Sequence, residues 1–336
     1  MINAYLRADG RKGIRNTVVV AYLVECAHHV SREIYYPFRE QGAHLIGFPG
    51  CFPNVYAHKM MERLCTHPNV GAALLVSLGC EGFNKGKLQE TVRKSGRPVK
   101  LLEIQGTGGT RKTIAEGKAW IEQTLKQLEG TPRANMTLDE LIVGTICGGS
   151  DATSGLTANP AMGRAFDFLV EKNATCIFEE TGELIGMEHW MAKRAENPIL
   201  GEEIVKTVAK AAKYYATYGH ASIGPGNADG GLTTIEEKSL GAYAKSGQSV
   251  ISGIIKPGDV PIRGGLYLLD VVPDGEPLFG FPNISDNAEI AELMACGSHL
   301  SLFSTGRGSV VGSAIAPVIK VCANPHTYKR MSDDMD

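Results

Sequence analysis

Apolar runs of strand length alternate with longer amphipathic runs along most of this chain, and this alternation restricts its fold more than any other feature. The strand-like runs of the first part are TVVVAYLVEC (17–26), HLIGF (44–48), AALLVSLGC (72–80) and VKLLEI (99–104). Helical patterns such as VYAHKMMERLCTH (55–67) and TIAEGKAWIEQTLKQLEG (113–130) follow them. A strand–helix–strand order requires crossover connections, so it predicts a parallel sheet covered by helices on both faces.

A second series of the same kind begins after the polar, proline-containing segment GTPRANMTLDE (130–140). It predicts helices at 160–172, 182–196, 201–218 and 235–246, and strands at LIVGTIC (141–147), TCIFEE (175–180), VISGII (250–255), GLYLLDVV (265–272), LSLFST (300–305) and PVIKVCA (317–323). We therefore predict an α/β fold with two Rossmann-like parallel-sheet domains, residues 1–135 and 136–336, the second with extra strands. Both series begin with a strand that ends in cysteine, a helix and a second strand, which one interpretation attributes to an internal repeat.

Composition excludes several classes of function. The formal net charge is −2, whereas nucleic-acid and membrane-surface binding usually need a basic face. No apolar run approaches the roughly 18 residues of a membrane span, and the N-terminus lacks the apolar stretch of a signal peptide. The eight cysteines include no CxxC pair, which indicates reduced thiols in the cytosol. We expect a cytoplasmic protein that binds neither nucleic acid nor membranes.

Glycine is abundant and concentrated at the predicted strand ends. Forty of the 336 residues are glycine, against an average share of roughly 7%. The clusters are FPGC, SLGC, QGTGG, CGGSD, GPGNADGG and STGRG. Each is consistent with a tight turn or with close approach of the backbone to a ligand. Ligands of open parallel sheets bind outside the carboxyl ends of the strands, where we predict Cys26, Cys51, Cys80, Cys147 and Glu180.

Two arginine-containing loops are candidates for anion binding. RADGRKGIRN (7–16) is either a solvated arm or a set of guanidinium clamps for a carboxylate or sulfonate. STGRGS (304–309) follows an apolar strand directly, which favours anion binding by Arg307 over a structural turn. QGTGGTRKT (105–113) resembles a phosphate loop, but Arg111 stands where that motif requires glycine, so nucleotide binding is disfavoured.

Candidate acids, bases and metal ligands follow the same strand ends. Glu81 and Asp151 each lie in a glycine-containing loop after a strand, although Asp151 could instead cap a helix. Glu237 beside Lys238 is either a base with its cation or an exposed helix pair. Cys51 and Cys80 could ligate iron or simply pack. No HExxH spacing supports a zinc hydrolase, and only His220 among the histidines has site-like neighbours.

Five long motifs occur in order: YLRADGRKGIRN (5–16), THPNVGAALLVSLGCE (66–81), CGGSDATSGLTANPAMG (147–163), PGNADGGLTTIEEKSLGAYAKSG (225–247) and FSTGRGSVVGSAIAPVIKV (303–321). Together they resemble the altronate/galactarate dehydratase family from about residue 4 to the end. The resemblance implies a lyase that removes a group β to a carboxylate, usually water from a sugar acid, with a divalent metal: Fe²⁺, or else Mn²⁺ or Mg²⁺.

Two segments resemble the sulfolactate sulfo-lyase large (beta) subunit branch of that family. GFPGCFPN (47–54) stands where the sugar-acid dehydratases tend to have a histidine-containing loop, and residues 268–299 also look like the sulfo-lyase branch. The resemblance implies conversion of 3-sulfolactate to pyruvate and sulfite. It also implies a large subunit whose small N-terminal domain is supplied by a separate small subunit, in an enzyme that we expect to be a homo-oligomer.

The resemblance and the placement of the loops together give a predicted site. The predicted catalytic residues are Asp151, Glu237 and Lys238, with Lys238 as a base if burial lowers its pKa and Glu237 holds it. The predicted substrate-binding residues are Arg11, Arg15, Asn16, Ser150, Asn159, Asn227, Thr305 and Arg307. The predicted metal ligands are Cys51, Cys80, Glu81 and His220, together with Asp151. Rival interpretations are a sugar-acid dehydratase, a non-catalytic anion-binding subunit and a dinucleotide-dependent oxidoreductase.

Overall fold

The chain divides into two compact units. The computed structural model describes residues 2–179, 181–217, 219, 222–275 and 285–336. The first unit contains residues 1–137 and 314–316, and the second contains 138–313 and 317–336.

A four-stranded parallel sheet forms the centre of the first unit. The strands of this unit are β1 (Ile2–Leu6), β2 (Lys12–Gly13), β3 (Thr17–Tyr22), β4 (Ala43–Gly47), β5 (Val70–Ser77), β6 (Val99–Glu103) and β7 (Arg133–Met136). The parallel sheet has the order β4-β3-β5-β6. Every residue of β5 is buried, which explains its continuous apolar sequence, because strands of such sheets are covered on both faces.

Helices cover this sheet, and several begin at residues suited to that position. They are α1 (His28–Tyr35), α2 (Val55–Cys65), α3 (Lys85–Lys94), α4 (Ile104–Thr107) and α5 (Thr110–Glu129). Asn54 and Asn84 cap α2 and α3 by accepting hydrogen bonds from backbone amides of the first turn. A Cβ on Gly117 would lie 2.6 Å from Ile34 Cδ1, so the glycine lets α5 pack closely on α1.

A small antiparallel sheet of order β2-β1-β7 was not anticipated from the sequence. Its strands are short, and β1 pairs with β7 from the far end of the unit. The arginine-rich segment 7–16 includes β2 and therefore belongs to this sheet rather than forming a free arm.

The second unit contains a six-stranded sheet in which all pairs are parallel. Its strands are β8 (Ile142–Cys147), β9 (Thr175–Phe178), β10 (Ile251–Ile255), β11 (Gly265–Leu269), β12 (Leu300–Thr305) and β13 (Val318–Cys322). The order is β10-β11-β9-β8-β12-β13. The predicted α/β class is thus confirmed: two parallel sheets, the second with more strands than the first.

The helices of the second unit are α6 (Ala158–Glu171), α7 (Glu188–Ala192), α8 (Pro198–Thr217), α9 (Pro225–Asp229), α10 (Ile235–Lys245), α11 (Asp286–Ala295) and α12 (Pro325–Arg330). A Cβ on Gly163 would lie 2.1 Å from Ala244 O, so α6 and α10 approach closely. This packing places α10 beside the loop that joins β8 to α6. In the described part of the chain, even the 20-residue helices α5 and α8 lack an apolar stretch long enough for a bilayer.

Candidate functional site

The arginine-rich motif of the first unit fastens strands together at the amino ends of β3 and β5. The buried Arg7 guanidinium donates hydrogen bonds to Pro68 O, Asn16 Oδ1 and Arg15 O, each at 2.6 Å. The Asn16 amide donates to Leu128 O and Thr131 Oγ1. These contacts give Asn16 a structural role.

Arg11 and Arg15 lie at the same amino-terminal edge. The exposed Arg11 donates hydrogen bonds to Asp9 Oδ2 and Thr66 O, both at 2.7 Å. Arg15 is half-buried, and burial lowers the pKa of its guanidinium. Ligands of parallel sheets bind at the opposite, carboxyl-terminal edge, so these contacts do not support the predicted substrate-binding role of Arg11, Arg15 and Asn16. That role stays a prediction.

Three of the predicted metal ligands follow β4 and β5, at the carboxyl edge of the first sheet. Glu81 accepts hydrogen bonds from Ser77 Oγ and from Gly79 N, and the bond to Ser77 helps to lower its pKa although burial opposes this. Cys51 and Cys80 are exposed free thiols. His220 lies outside the described residues. Among the residues that the structure describes, no three His, Cys, Asp or Glu side chains form a group suited to a metal ion, and the divalent metal with its ligands stays a prediction.

The carboxyl edge of the second sheet holds a polar cavity. The strand order reverses at β8, since the chain continues from β8 to its neighbour β9 while β12 lies on the other side. Such a reversal is where parallel sheets bind ligands. A cavity of about 200 Å³ lies there. Its polar lining residues are Cys147, Ser150, Asp151, Ser154, Asn159, Glu183, Glu237 and Lys238.

Lys238 is the cation of this cavity, and Glu183 holds it. Lys238 Nζ lies 2.5 Å from Glu183 Oε1 and donates to Ser222 O at 2.5 Å. The two side chains are 10% and 15% exposed. Burial lowers the pKa of Lys238, but the negative charge of Glu183 outweighs it, and the net pKa is raised. Lys238 is therefore an ammonium at neutral pH, and its predicted role as a base of lowered pKa is wrong.

The Glu237 carboxylate bonds to Thr233, at the start of its own helix. Its carboxylate accepts hydrogen bonds from the amide and the hydroxyl of Thr233, both at 2.7 Å, and this lowers its pKa. The Glu237 amide donates to Thr234 Oγ1. The predicted pairing of Glu237 with Lys238 is thus wrong, because adjacent residues do not share a helix face. Glu237 lies on the exposed rim of the cavity.

Asp151 joins three loops of the cavity wall. Its Oδ1 accepts from Thr153 N at 2.8 Å and from Thr153 Oγ1 at 2.5 Å, and its Oδ2 accepts from Asn324 Nδ2 at 3.1 Å. A Cβ on Gly306 would lie 2.0 Å from Asp151 Oδ1. Asp151 is buried and holds the turn at 152–157. The alternative that it caps a helix is wrong, because α6 begins at Ala158 with Thr157 in the N-cap position.

The predicted amide residues hold the cavity walls together. The buried Asn159 donates to Gly241 O at 3.0 Å and accepts from Ser304 Oγ at 2.6 Å, linking α6 to α10 and β12. Asn227 donates to Ser150 O at 2.9 Å and accepts from Gly224 N at 2.8 Å. These side-chain amides bond to other protein groups and hold the segments that form the cavity wall in place.

Thr305 and Arg307 belong to the loop after β12. Thr305 is buried and its hydroxyl accepts from Gly308 N at 2.9 Å. The Arg307 amide donates to Gly149 O at 2.8 Å, which locks this loop against the loop after β8. The Arg307 side chain is exposed, and its Nε is 3.8 Å from where a Cβ on Gly226 would stand. The structure thus brings Ser150, Asp151, Asn227, Thr305 and Arg307 together at one sheet edge.

Known protein families match both units of this chain. Residues 138–336 match the family described as D-galactarate/Altronate dehydratase, C-terminal, and residues 4–129 match D-galactarate dehydratase/Altronate hydrolase, second domain. The (2R)-sulfolactate sulfo-lyase subunit beta of Chromohalobacter salexigens is 32% identical, over 99% of this chain and 84% of the relative. The chain belongs to the galactarate/altronate dehydratase family.

Two further relatives of this family member are dehydratases. The altronate dehydratase of Bacillus subtilis is 29% identical over 97% of this chain and 66% of the relative. The galactarate dehydratase (L-threo-forming) of Escherichia coli is 31% identical over 83% of this chain and 53% of the relative. The chain thus spans about two thirds or less of the length of these dehydratases. Since the named relatives are lyases and dehydratases, the protein is an enzyme of the lyase type, as the five motifs predicted.

Several buried charges of this lyase were missed by the sequence reasoning. Glu183, in the turn after β9, lies in none of the five motifs, and Lys245, seven residues after Lys238 on α10, lies in the fourth motif but was not singled out. The i,i+7 spacing of the two lysines would have placed both on one face of α10. Burial, followed by the charge of Glu183, raises the pKa of Glu289 to about 8. Burial lowers the pKa of Lys245, which is fully buried beside Cys147.

Proposed function

We propose that this family member eliminates a group β to the carboxylate of a small 2-hydroxy acid, with 3-sulfolactate as substrate and pyruvate and sulfite as products. The observation that carries the elimination is the Lys238–Glu183 pair on the wall of a polar cavity at the reversal of strand order. The choice of 3-sulfolactate is supported by the sulfo-lyase subunit, whose alignment covers 99% of this chain at 32% identity.

The pair supplies what the first chemical step demands. Removal of the proton α to a carboxylate builds negative charge on the carboxylate, and that charge must be stabilised for the step to be fast. The Lys238 ammonium faces the cavity and carries a raised pKa. It can therefore bind the substrate carboxylate and stabilise the developing charge.

Glu183 is the carboxylate placed to accept the α proton. Of the three acidic side chains in the cavity wall, Asp151 is held by donors from its own turn and from Asn324, and Glu237 is bound to Thr233 on the rim. Glu183 instead faces Lys238 within the cavity. A positioned carboxylate of this kind contributes typically about 10²–10⁴-fold to such a proton transfer.

Arg307 is the proposed clamp for the sulfonate. A guanidinium presents a planar fork that matches sulfonate and carboxylate oxygens. The exposed Arg307 side chain projects from the loop locked to Gly149, beside the start of α9. Sulfite leaves readily as an anion, so the step needs little acid assistance at the leaving group.

Dependence on Fe²⁺ or another divalent metal is proposed separately. The described His, Cys, Asp and Glu residues do not form a suitable donor group, so each step above uses only side chains of this chain. The assay therefore includes arms with Fe²⁺, Mn²⁺, Mg²⁺ and a chelator.

The test is an anaerobic assay of the purified protein with 3-sulfolactate, altronate and galactarate in parallel. A separate small subunit is added in half of the reactions, because the sulfo-lyase relative is itself a subunit beta. We expect pyruvate and sulfite in equal amounts from 3-sulfolactate. Turnover of none of the three substrates under any metal or subunit condition would contradict the proposal and favour a non-catalytic subunit.

A sugar-acid dehydratase is the second candidate. The altronate dehydratases of Bacillus subtilis and Escherichia coli are 29% and 28% identical over 97% and 96% of this chain. In that case the leaving group is hydroxide, which needs more acid assistance than sulfite. A 2-keto-3-deoxy acid formed from altronate or galactarate, without sulfite release from 3-sulfolactate, would replace the first candidate with this one.

A further inference from the structure

The thiol of Cys147 lies in the cavity wall but has no part in the steps above. Cys147 is the last residue of β8 and is 5% exposed. Its Sγ lies 3.1 Å from Glu183 Oε2 and 3.1 Å from Ser150 Oγ. The thiol therefore connects the carboxylate that holds Lys238 to the loop that carries Asp151.

The chemistry of these partners fixes the direction of the hydrogen bonds. An ionised carboxylate can only accept, so the S–H group donates to Glu183. The Ser150 hydroxyl and the Lys245 amine can both donate to the sulfur. Burial and the nearby Glu183 charge raise the pKa of Cys147, so the thiol keeps its proton at neutral pH.

Both oxygens of Glu183 are thereby engaged, and the backbone around Cys147 is closely packed. Oε1 pairs with Lys238 Nζ at 2.5 Å while Oε2 accepts from Cys147. A Cβ on the next residue, Gly148, would lie 2.1 Å from Asp286 Oδ2 and 2.6 Å from the Phe303 ring. Since close packing confines this strand end, the Cys147 thiol has little freedom to move. Its hydrogen bond therefore restricts the orientation of the Glu183 carboxylate.

We propose that Cys147 is a positioning residue whose thiol donates a hydrogen bond to Glu183 Oε2 and keeps that carboxylate turned toward Lys238 and the cavity. The inference rests on the proposed function, in which Glu183 accepts the α proton. The role requires a donor at this position and no nucleophilic or redox reaction of the sulfur.

Kinetics of three variants test this role in the full-length protein, with whichever substrate the wild type converts. We expect Cys147→Ala to lower kcat by about 10-fold or more with KM within about 3-fold, because orientation of the proton acceptor is lost. Cys147→Ser restores a donor and should return kcat to within about 3-fold of the wild type. Cys176→Ala is the matched control, since Cys176 is also buried, on β9, but is bonded to Phe166 O.

The split between kcat and KM, together with rescue by serine, separates positioning from a loss of packing. A packing defect would affect KM as well as kcat and would persist in Cys147→Ser, whereas a lost hydrogen bond is restored by the serine hydroxyl. Cys176→Ala should keep the kcat and KM of the wild type. Wild-type kcat in Cys147→Ala, or a Cys147→Ser variant as slow as Cys147→Ala, would overturn the inference.

Infrared spectroscopy of the S–H stretch tests the contact without any turnover. The Cys147 band is assigned from the difference between wild type and Cys147→Ser. It should shift to higher frequency in Glu183→Ala, because the acceptor is removed, and should not shift in Glu237→Ala. An S–H stretch of unchanged frequency in Glu183→Ala would overturn the inference. If the wild type converts no substrate, the proposed function fails while this shift still decides the contact.

Discussion

The two parallel sheets share a strand order but differ in what their carboxyl edges hold. In the first unit the order is β4-β3-β5-β6, and in the second four of the six strands have the corresponding order β9-β8-β12-β13. In each, the chain passes from the first strand to a neighbour on one side and later places two strands on the other. The edge that parallel sheets offer to ligands is therefore present twice.

Each edge also holds a lysine paired with a glutamate, but in different settings. In the first, Lys85 contacts Glu103, Ser77 Oγ and Gly79 O, and the two charged side chains are 24% and 39% exposed. In the second, the Lys238 and Glu183 side chains are only 10% and 15% exposed and line a cavity. Strand order therefore supplies the edge, whereas burial and an open cavity make a charge pair useful for chemistry.

The largest expected effect separates these two lysines. Lys238→Met should lower kcat/KM by about 10³-fold or more, because the preorganised charge in the cavity is lost. Lys85→Met should leave kcat/KM within about 3-fold and lower the melting temperature only slightly, because a partly exposed ion pair contributes about 1 kcal/mol or less. Steady-state kinetics and thermal melts of both variants check this. Equal losses of activity would show that the first edge also serves the reaction.

A smaller effect is expected at the glycine that makes room for Asp151. Gly306→Ala would put a Cβ 2.0 Å from Asp151 Oδ1, so we expect a destabilisation of about 1–3 kcal/mol and slower turnover. Gly312→Ala is the matched control, since nothing lies within 4 Å of its Cβ position. Denaturant unfolding of both variants measures the difference. A Gly306→Ala variant as stable as Gly312→Ala would mean that the two loops are not tightly packed.

The sequence predicted the sheets better than the side-chain pairs. Strands such as β5 and β8 are continuous apolar runs, so local pattern identifies them. The β1–β7 pairing joins distant segments with short, partly exposed strands, and periodicity carries no signal for it. Because the apolar runs mark where the parallel strands end, Asp151 and Thr305 could be placed at one sheet edge from the sequence.

Partners within the site are decided by tertiary geometry. Glu237 is next to Lys238 in sequence, but neighbours on a helix lie on different faces. Glu183, from the turn after β9, reaches the lysine instead. Likewise, the arginine-rich motif looked like an anion clamp, yet Arg7 is satisfied by backbone and Asn16 oxygens. A motif shows which groups are present, whereas only the fold shows which of their hydrogen bonds are already made.

The next prediction concerns the pH dependence of stability between about pH 5 and 8, and it involves Glu289 of the second unit. The pKa of Glu289 is raised to about 8, first by burial and then by Glu183, Glu292 and Asp286, with Lys238 opposing. The folded state therefore holds a proton that the unfolded chain has released above about pH 4.3. The stability that this proton contributes to the folded state is fully present below that pH and is lost as pH rises toward 8. Glu289→Gln should flatten the fall in melting temperature between about pH 5 and 8; an unchanged slope would contradict it.

The smallest effect lies at the acid end and belongs to the first unit. Burial raises the pKa of Asp9, but hydrogen bonds from Arg11 and Arg97 outweigh it and lower the pKa to about 2. The carboxylate thus stabilises the fold above about pH 3.9, and this is lost as pH falls toward 2. Asp9→Asn should remove about 1 kcal/mol of that acid-dependent stability, a modest value because the pair is partly solvated.

Melting curves of Asp9→Asn, Glu289→Gln and the double variant would test whether the two pH dependences are separate. The residues belong to different units, and independent sites add to within about 0.3–0.5 kcal/mol. Asp9→Asn should alter only the acid limb of the melting-temperature profile, and Glu289→Gln only its fall between about pH 5 and 8. If either variant changed both limbs, the charge network around Asp9 in the first unit would be coupled to that around Glu289 in the second, and the two pH dependences could not be assigned to separate residues.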